Sequence, residues 1–285
     1  MGNNARSLLK NRGITGSWEA ADCINALSEL EKIDSDAEKN EKKAFTRAAL
    51  CLFGIIASLI TGAMTTTPYF FYLAPVFGIA LVIFVLVGIR YSFRDLDDGF
   101  RVYLFPLLRA LSDDIKKNKK ISIEMDFFPT DKKIFKKSKS DKYQKGVYHK
   151  CYDTLYERDY LKMTLPLHDG NRLVVSVRDS LIEAQMTKKN PRGKIKTKRK
   201  YKKQVMTYTI RLKVSAKKYR CKKELIETNL KDNIKKVDIK QTMKGPVLVI
   251  VGVVKSKREK KFPDTITTLK LIGRLYSCIE PVTNN

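Results

Sequence analysis

The 285-residue sequence predicts an α+β membrane protein. The expected layout is a two-helix transmembrane hairpin, then a cytoplasmic domain of mainly antiparallel β-sheet, barrel-like if it curls, with a few helices. Three observations carry this expectation. Residues 48–89, a run of 42, hold no charged side chain. The formal net charge of +27 lies entirely after that run, because residues 1–47 carry 8 Lys+Arg and 8 Asp+Glu. Beyond residue 119, several segments alternate apolar and polar side chains with the period of two that marks a half-buried strand.

The apolar run comes first. At 1.5 Å per residue, 42 helical residues measure roughly 63 Å, about twice the hydrocarbon core of a bilayer. Thr65-Thr66-Thr67-Pro68-Tyr69 interrupts the run near its middle, so two spans are expected, at about 48–64 and 70–89. Lys39, Lys42, Lys43 and Arg47 precede the first span, and Arg90 and Arg94 follow the second. The loop between them has no cation. The positive-inside rule then places both termini in the cytoplasm and the protein in the inner (plasma) membrane. Tyr69, Phe70, Phe71 and Tyr72 form the expected outer aromatic belt, and Tyr91 and Phe93 the inner one. Gly54, Ser58 and Gly62 share one face of the first span, and Ala74 and Gly78 form a notch on the second. Small residues at this spacing let helix backbones approach, either span to span or between copies in a homo-oligomer. Neither span carries an ionisable group, which argues against a pump or a proton relay.

Four regions follow from this. Residues 1–47 read as a cytoplasmic arm with one amphipathic helix, capped by Ser17, starting at Trp18 and continuing through Ala21, Ile24, Leu27, Leu30 and Ile33. Residues 48–90 are the hairpin of spans. Residues 91–118 read as a juxtamembrane helix, from Phe93 through Leu96, Phe100, Leu104, Leu108 and Ile115, with Pro106 as a kink. Residues 119–285 are the basic α+β domain.

Within that domain, residues 121–127 alternate as a strand, and 129–146 read as a lysine-rich loop. A hairpin is expected between 160–167 and 172–177, its turn built on His168-Asp169-Gly170-Asn171. A second, longer hairpin has its tip near Asn190-Pro191-Arg192-Gly193 and a return strand that runs to Ser215. Residues 219–237 read as containing a helix. Residues 247–254 read as a central strand covered on both faces. Pro263 opens a last helix carrying Ile266, Leu269, Ile272, Leu275 and Ile279.

The candidate site is the tip of the second hairpin. Residues 188–203 hold ten cations and no acid: Lys188, Lys189, Arg192, Lys194, Lys196, Lys198, Arg199, Lys200, Lys202 and Lys203. Lys194, Lys196, Lys198, Lys200 and Lys202 fall on every second position, so in a strand they form a comb about 6.7 Å apart. Unless a bulge intervenes, the same parity continues into Met206, Tyr208 and Ile210. Such a comb matches acidic lipid headgroups, an acidic protein or nucleic acid. Further cations cluster at 132–145, at 217–223 and at 255–261, with Tyr143, Tyr148, Tyr201 and Tyr219 among them as possible stacking surfaces. The bland alternative is a solvated set of lysines that keeps a strand edge from pairing.

Enzymatic chemistry is not expected. His149 and His168 are the only histidines, and His168 sits in a turn. The five cysteines are odd in number and widely spread, with no metal-ligand spacing, so neither metal nor disulfides nor a cofactor is indicated. No phosphate-binding glycine loop occurs. The expected function is that of a non-enzymatic, membrane-anchored protein binding an anionic partner through the lysine-rich hairpin. Two spans followed by a β-rich cytoplasmic domain are also similar in arrangement to membrane effectors of bacterial antiviral defence. That similarity of layout implies a nucleotide- or nucleic-acid-sensing domain acting through its spans. A structural assembly subunit is the third possibility.

Overall fold

The computed structural model describes residues 12–65, 69–94, 96–116, 118–221, 234–242, 245–256 and 261–282. They fall into two compact units, one containing Ala26–Leu96 and the other Lys10–Asn25 together with Asp97 onward.

Among the described residues, two helices are long and apolar enough to cross a membrane: α1 (Ala20–Thr65), most of which lies in the first unit, and α2 (Tyr69–Ser92). None of the apolar window of α2 is buried. Leu50, Phe53, Ile56, Val76, Ile79, Ile83 and Leu86 all face outward. An apolar exterior of this extent is stable only in an apolar surrounding. The expected separate arm helix is absent, because α1 is continuous for 46 residues, about 69 Å. The polar stretch at 34–47 contains no Gly or Pro and is rich in Ala, Glu and Lys, with Glu38 and Lys42 paired at 2.7 Å one turn apart, so nothing interrupts the helix. Its buried face runs through Cys23, Leu27, Leu30, Asp34, Ala37, Ala44, Ala48 and Cys51. Buried Asp34 accepts the backbone N–H of Leu96 at 2.7 Å, fixing the chain just after α2.

The helix also does not start at Trp18. Gly13–Trp18 is instead a strand, β1, paired antiparallel with β2 (Ile121–Asp126). Ser17 therefore sits opposite Ser122 and cannot cap. The ladder bonds of a partner strand outweigh a local capping preference that is worth about 1 kcal/mol.

The second unit is built on an all-antiparallel sheet. β5 (Tyr148–Pro166), β6 (Arg172–Lys189) and β7 (Ile195–Lys213) form its centre. On one side of β5 lie β2 and then β1. On the far side of β7 lie β10 (Gly245–Ser256) and then β9 (Ile234–Thr242). The sheet is open, and no barrel closes. Two short strands, β3 (Lys136–Lys139) and β4 (Tyr143–Lys145), occupy what reads in the sequence as a loop, and they line the distal edge of β5.

The two expected hairpins are present; the first is longer than predicted, and the return strand of the second, β7, is slightly shorter than the expected 194–215. Asn171 accepts the Ser215 N–H at 2.9 Å, and Asp169 holds the first turn by bonds to Asn171 and to the Tyr276 hydroxyl. His168 is a turn residue. Gly170 takes φ +92°, a conformation that favours glycine.

One face of the proximal sheet carries Ile123, Leu161, Met163, Val175, Tyr208, Ile210 and Leu248, all buried. Helical segments bury against the same core. In place of the predicted juxtamembrane helix there is a π-helical turn (Phe100–Leu104), a short α3 (Phe105–Ala110) and a 3-10 turn. Pro106 lacks the N–H that an α-helix would aim at Val102 O, and the Thr265 hydroxyl approaches that carbonyl at 3.4 Å. α4 (Thr265–Ser277) packs on β7 and β10. The Asp264 carboxylate caps it, accepting Thr267 N–H and hydroxyl bonds that hold its pKa below the ordinary range.

Two further expectations are corrected, and a third, the helix within 219–237, is bounded by strands at both ends. Residues 219–221 form β8 (Tyr219–Cys221) and residues 234–237 belong to β9, both strands; the middle of that predicted helix lies outside the described residues. Ile279 leaves the last helix for β11 (Ile279–Pro281), which pairs with β8. β10 buries Leu248 and Ile250, whereas Val247, Val249 and Val251 stay half-buried, so only one of its faces is fully covered.

Candidate anion-binding hairpin

At 18 and 19 residues, β6 and β7 are about three times the usual strand length, roughly 60 Å each. Their proximal halves sit over the core, and their distal halves form the basic arm. β10 accompanies β7 only as far as the Ser256–Gln204 pair, so among the described residues β7 is an edge strand from Ile195 to Lys203.

The register shifts between Ile182 and Glu183, which pair with Lys203 and Tyr201. Lys202 is the extra residue of a β-bulge. The bulge breaks the parity argument. Directly paired residues share a face, and the pairs Ala184–Lys200, Met186–Lys198 and Lys188–Lys196 place these lysines on the face opposite Met206, Tyr208 and Ile210. The comb does not extend the core face; it extends the solvent face. It also shortens to Lys196, Lys198 and Lys200. Lys194 belongs to the tip, where its carbonyl accepts Asn190 N–H and Gly193 adopts φ +78°.

Lys202 itself is diverted. Its ammonium bonds to the Asp153 carboxylate and to the Tyr143 hydroxyl (2.8 Å), and that hydroxyl donates to Asp153 at 2.8 Å. The ammonium is held above its ordinary pKa: burial lowers it, and the bonds to Asp153 and Tyr143 outweigh that effect. On the reverse face, Thr187 and Thr197 hydroxyls meet at 3.3 Å, and the Tyr201 hydroxyl donates to Asp131 at 3.1 Å. Burial, with Asp131 beside it, pushes the Tyr201 phenol up to about 12. Tyr201 is thus engaged in holding the arm.

The comb faces a groove of about 1090 Å³. Ala184 and Met186 line it, and both pack with buried Cys151 in a small apolar cluster that Tyr143 and Tyr148 adjoin. Lys198, Lys200 and Lys202 form one wall, and Lys145, Gly146, Val147 and Tyr148 the other. That second wall is a tight two-residue turn, with Gly146 at φ +54°. Lys188, Lys189, Arg192, Lys196, Arg199 and Lys203 complete the arm. The groove on the solvent face of the proximal sheet differs. There Glu124 meets Lys162 at 3.6 Å and Asp159 meets Arg178 at 2.9 Å, so the charges are mixed and partly cancelled.

The packing residues lie mostly between α1 and α2. A Cβ on Gly54 would stand 2.9 Å from the Phe77 ring, and one on Gly62 would stand 3.1 Å from Phe71. Ser58 is buried, and its hydroxyl bonds back to Ile55 O. Ala74 is half-buried, and among the described residues no atom outside the adjacent turns of α2 comes within 4 Å of a Cβ placed on Gly78.

One cluster escaped the sequence reading. Arg158 lies fully buried between Asp97 (3.2 Å) and Asp179 (3.6 Å). It also donates to the carbonyls of Asp126 and Phe128. Tyr160 donates to Asp97 at 3.0 Å, and Gln204 to Asp179 at 2.8 Å. Burial lowers the Arg158 pKa, while Asp179 acts against it. The available signal was Asp179, a charge at the core parity of Leu173, Val175, Val177 and Leu181.

Compared with known protein families, curated proteins and solved structures, the chain matches none.

Proposed function

We propose that the chain is a non-enzymatic, membrane-anchored protein whose distal β-hairpin binds anionic lipid headgroups at the cytoplasmic face of the inner membrane. In this reading α1 and α2 cross the bilayer with both termini cytoplasmic, and the arm supplies a second, electrostatic attachment. The carrying observation is the bulge at Lys202. It turns Lys196, Lys198 and Lys200 onto one face beside Lys188, with no ion-pair partner among the described residues. Each Lys or Arg at an anionic surface contributes about 1 kcal/mol, so an arm with ten cations holds firmly even when only part of it engages. Acidic proteins compete for the same lysines. The Gly78 notch is the position at which a helix of a second copy would seat in a homo-oligomer.

The test uses the full chain reconstituted in neutral and in phosphatidylglycerol-containing bilayers, with lysine acetylation mapped by mass spectrometry. Hairpin lysines are expected to be protected only in anionic bilayers, and only at low ionic strength, because exposed charges are screened by salt. Equal modification in both bilayers overturns the reading.

A second reading, a nucleotide- or nucleic-acid-sensing effector acting through its spans, is favoured by Tyr148 standing in the groove wall opposite the lysines. Saturable nucleotide binding without lipid protection would select it.

A further inference from the structure

We infer that the groove beside the hairpin is a discrete site for a compact ligand bearing two or more phosphates next to a planar or apolar portion. This rests on the arm being an anion-binding element and names what one part of it recognises.

The groove has two chemically different parts. Its floor is apolar, formed by Ala184 and Met186, which pack on the buried Cys151 beneath them. Its wall is cationic, with Lys198 and Lys200 on the floor's own face, and Lys145 on the facing turn. None of the three has an acidic partner within 4 Å among the described residues. The carboxylate beside this groove, Asp153, is already neutralised by Lys202 and bonded by Tyr143. What remains is of a single sign.

This arrangement has a cost. Lys188 and Lys196 pair directly across the strands, and like charges so placed destabilise a sheet. A flat solvated edge needs no such placement, nor a bulge that spends its extra residue on screening the nearby acid. Tyr148, whose ring lies 6.0 Å from the Lys188 ammonium, stands at the rim over the apolar floor. Phosphates satisfy the lysines through charge-assisted bonds, and a base or acyl segment covers the floor and stacks on Tyr148. Nucleoside polyphosphates and polyphosphoinositide headgroups share this chemistry.

The experiment titrates the detergent-solubilised full chain with inorganic tripolyphosphate, ATP and soluble dioctanoyl phosphatidylinositol bisphosphate. Three variants accompany it: Lys198→Ser with Lys200→Ser in the groove, Arg192→Ser with Lys194→Ser at the tip, and Tyr148→Leu. One saturable site is expected. The groove variant weakens it by about tenfold or more, and the tip variant by no more than about threefold, because only groove lysines make charge-assisted bonds. Tyr148→Leu weakens ATP by at least about fivefold while sparing tripolyphosphate. A stronger effect on the phosphoinositide than on ATP identifies the lipid as the source of the phosphates, and the reverse identifies the nucleotide. Equal losses in groove and tip variants, or no saturation with any probe, overturn the discrete site. In that outcome bilayer-dependent lysine protection still stands or falls separately, so failure of the groove is distinguishable from failure of the membrane reading.

Discussion

At residue scale, the side chain of Arg158 is heavily constrained. It reaches two carboxylates and two backbone carbonyls from a site with no solvent exposure. A buried ion pair is weak evidence of net stabilisation, but removing one partner leaves the others uncompensated. Arg158→Met strands Asp97 and Asp179 in the interior and is expected to cost about 3–5 kcal/mol. Thermal melts of the solubilised chain would read this as a large drop in midpoint. A variant that melts within a few degrees of the parent would show the carboxylates to be well solvated or protonated in its absence. The cluster joins the segment that begins at Asp97 to β5 and β6 through side chains alone, with Tyr160 adding a bond to Asp97 and Gln204 one to Asp179. Charge here fixes which segments meet.

At element scale, close approach decides whether the segments fit. Gly99 opens the π-helical turn, and a Cβ placed on it would stand 1.9 Å from the Tyr160 oxygen and 2.3 Å from the Phe262 ring. Both neighbours are held: Tyr160 is fully buried and its ring lies 5.6 Å from that of Phe262. Gly99→Ala is therefore expected to destabilise by about 1–3 kcal/mol through overpacking, although alanine is the better helix former. An unchanged or raised melting midpoint would contradict this. The same scale explains what could be read in the sequence. The two hairpins were legible because apolar side chains alternate along 161–167 and 206–214 and Asp169-Gly170 supplies the turn. The bulge was not, because between Ile195 and Lys203 neither face is apolar enough to pin the register, and a one-residue slip then leaves no trace in the pattern. The start of α1 was misplaced because Ser17 and Trp18 satisfy a capping pattern locally, while the pairing that overrides it involves Ile121 and Ser122, more than a hundred residues away. The Arg158 cluster was hidden for a similar reason. Tyr160 is an extra residue in β5, between Asp159 and Leu161, and it shifts Arg158 onto the buried face against its sequence parity.

At the scale of the whole molecule, charge and apolarity are segregated along the chain, and the proposed topology that follows from this can be measured. All of the +27 charge follows the uncharged run at 48–89, and the residues before that run are neutral in sum. Moving the C-terminal segment across a bilayer would carry 49 cations with it, whereas the turn after Thr65 carries none. Long domains can translocate regardless of charge, so the decisive cations are those flanking the spans: Lys39, Lys42, Lys43 and Arg47 on one side, Arg90 and Arg94 on the other. Both sets point to the same compartment. Cysteine labelling reads the outcome directly, because Cys23, Cys51, Cys151 and Cys278 are buried and only Cys221 is half-exposed. In a Cys221→Ser background, Thr65→Cys is expected to react with a membrane-impermeant maleimide in intact cells. Lys196→Cys, at an exposed position of the arm, is expected to react only after permeabilisation. The opposite pattern would put the lysine arm outside the cell, away from the leaflet whose anionic lipids it is proposed to bind. Labelling of both positions in intact cells would mean that α1 and α2 do not form a membrane hairpin, and the attachment mechanism would fail with them.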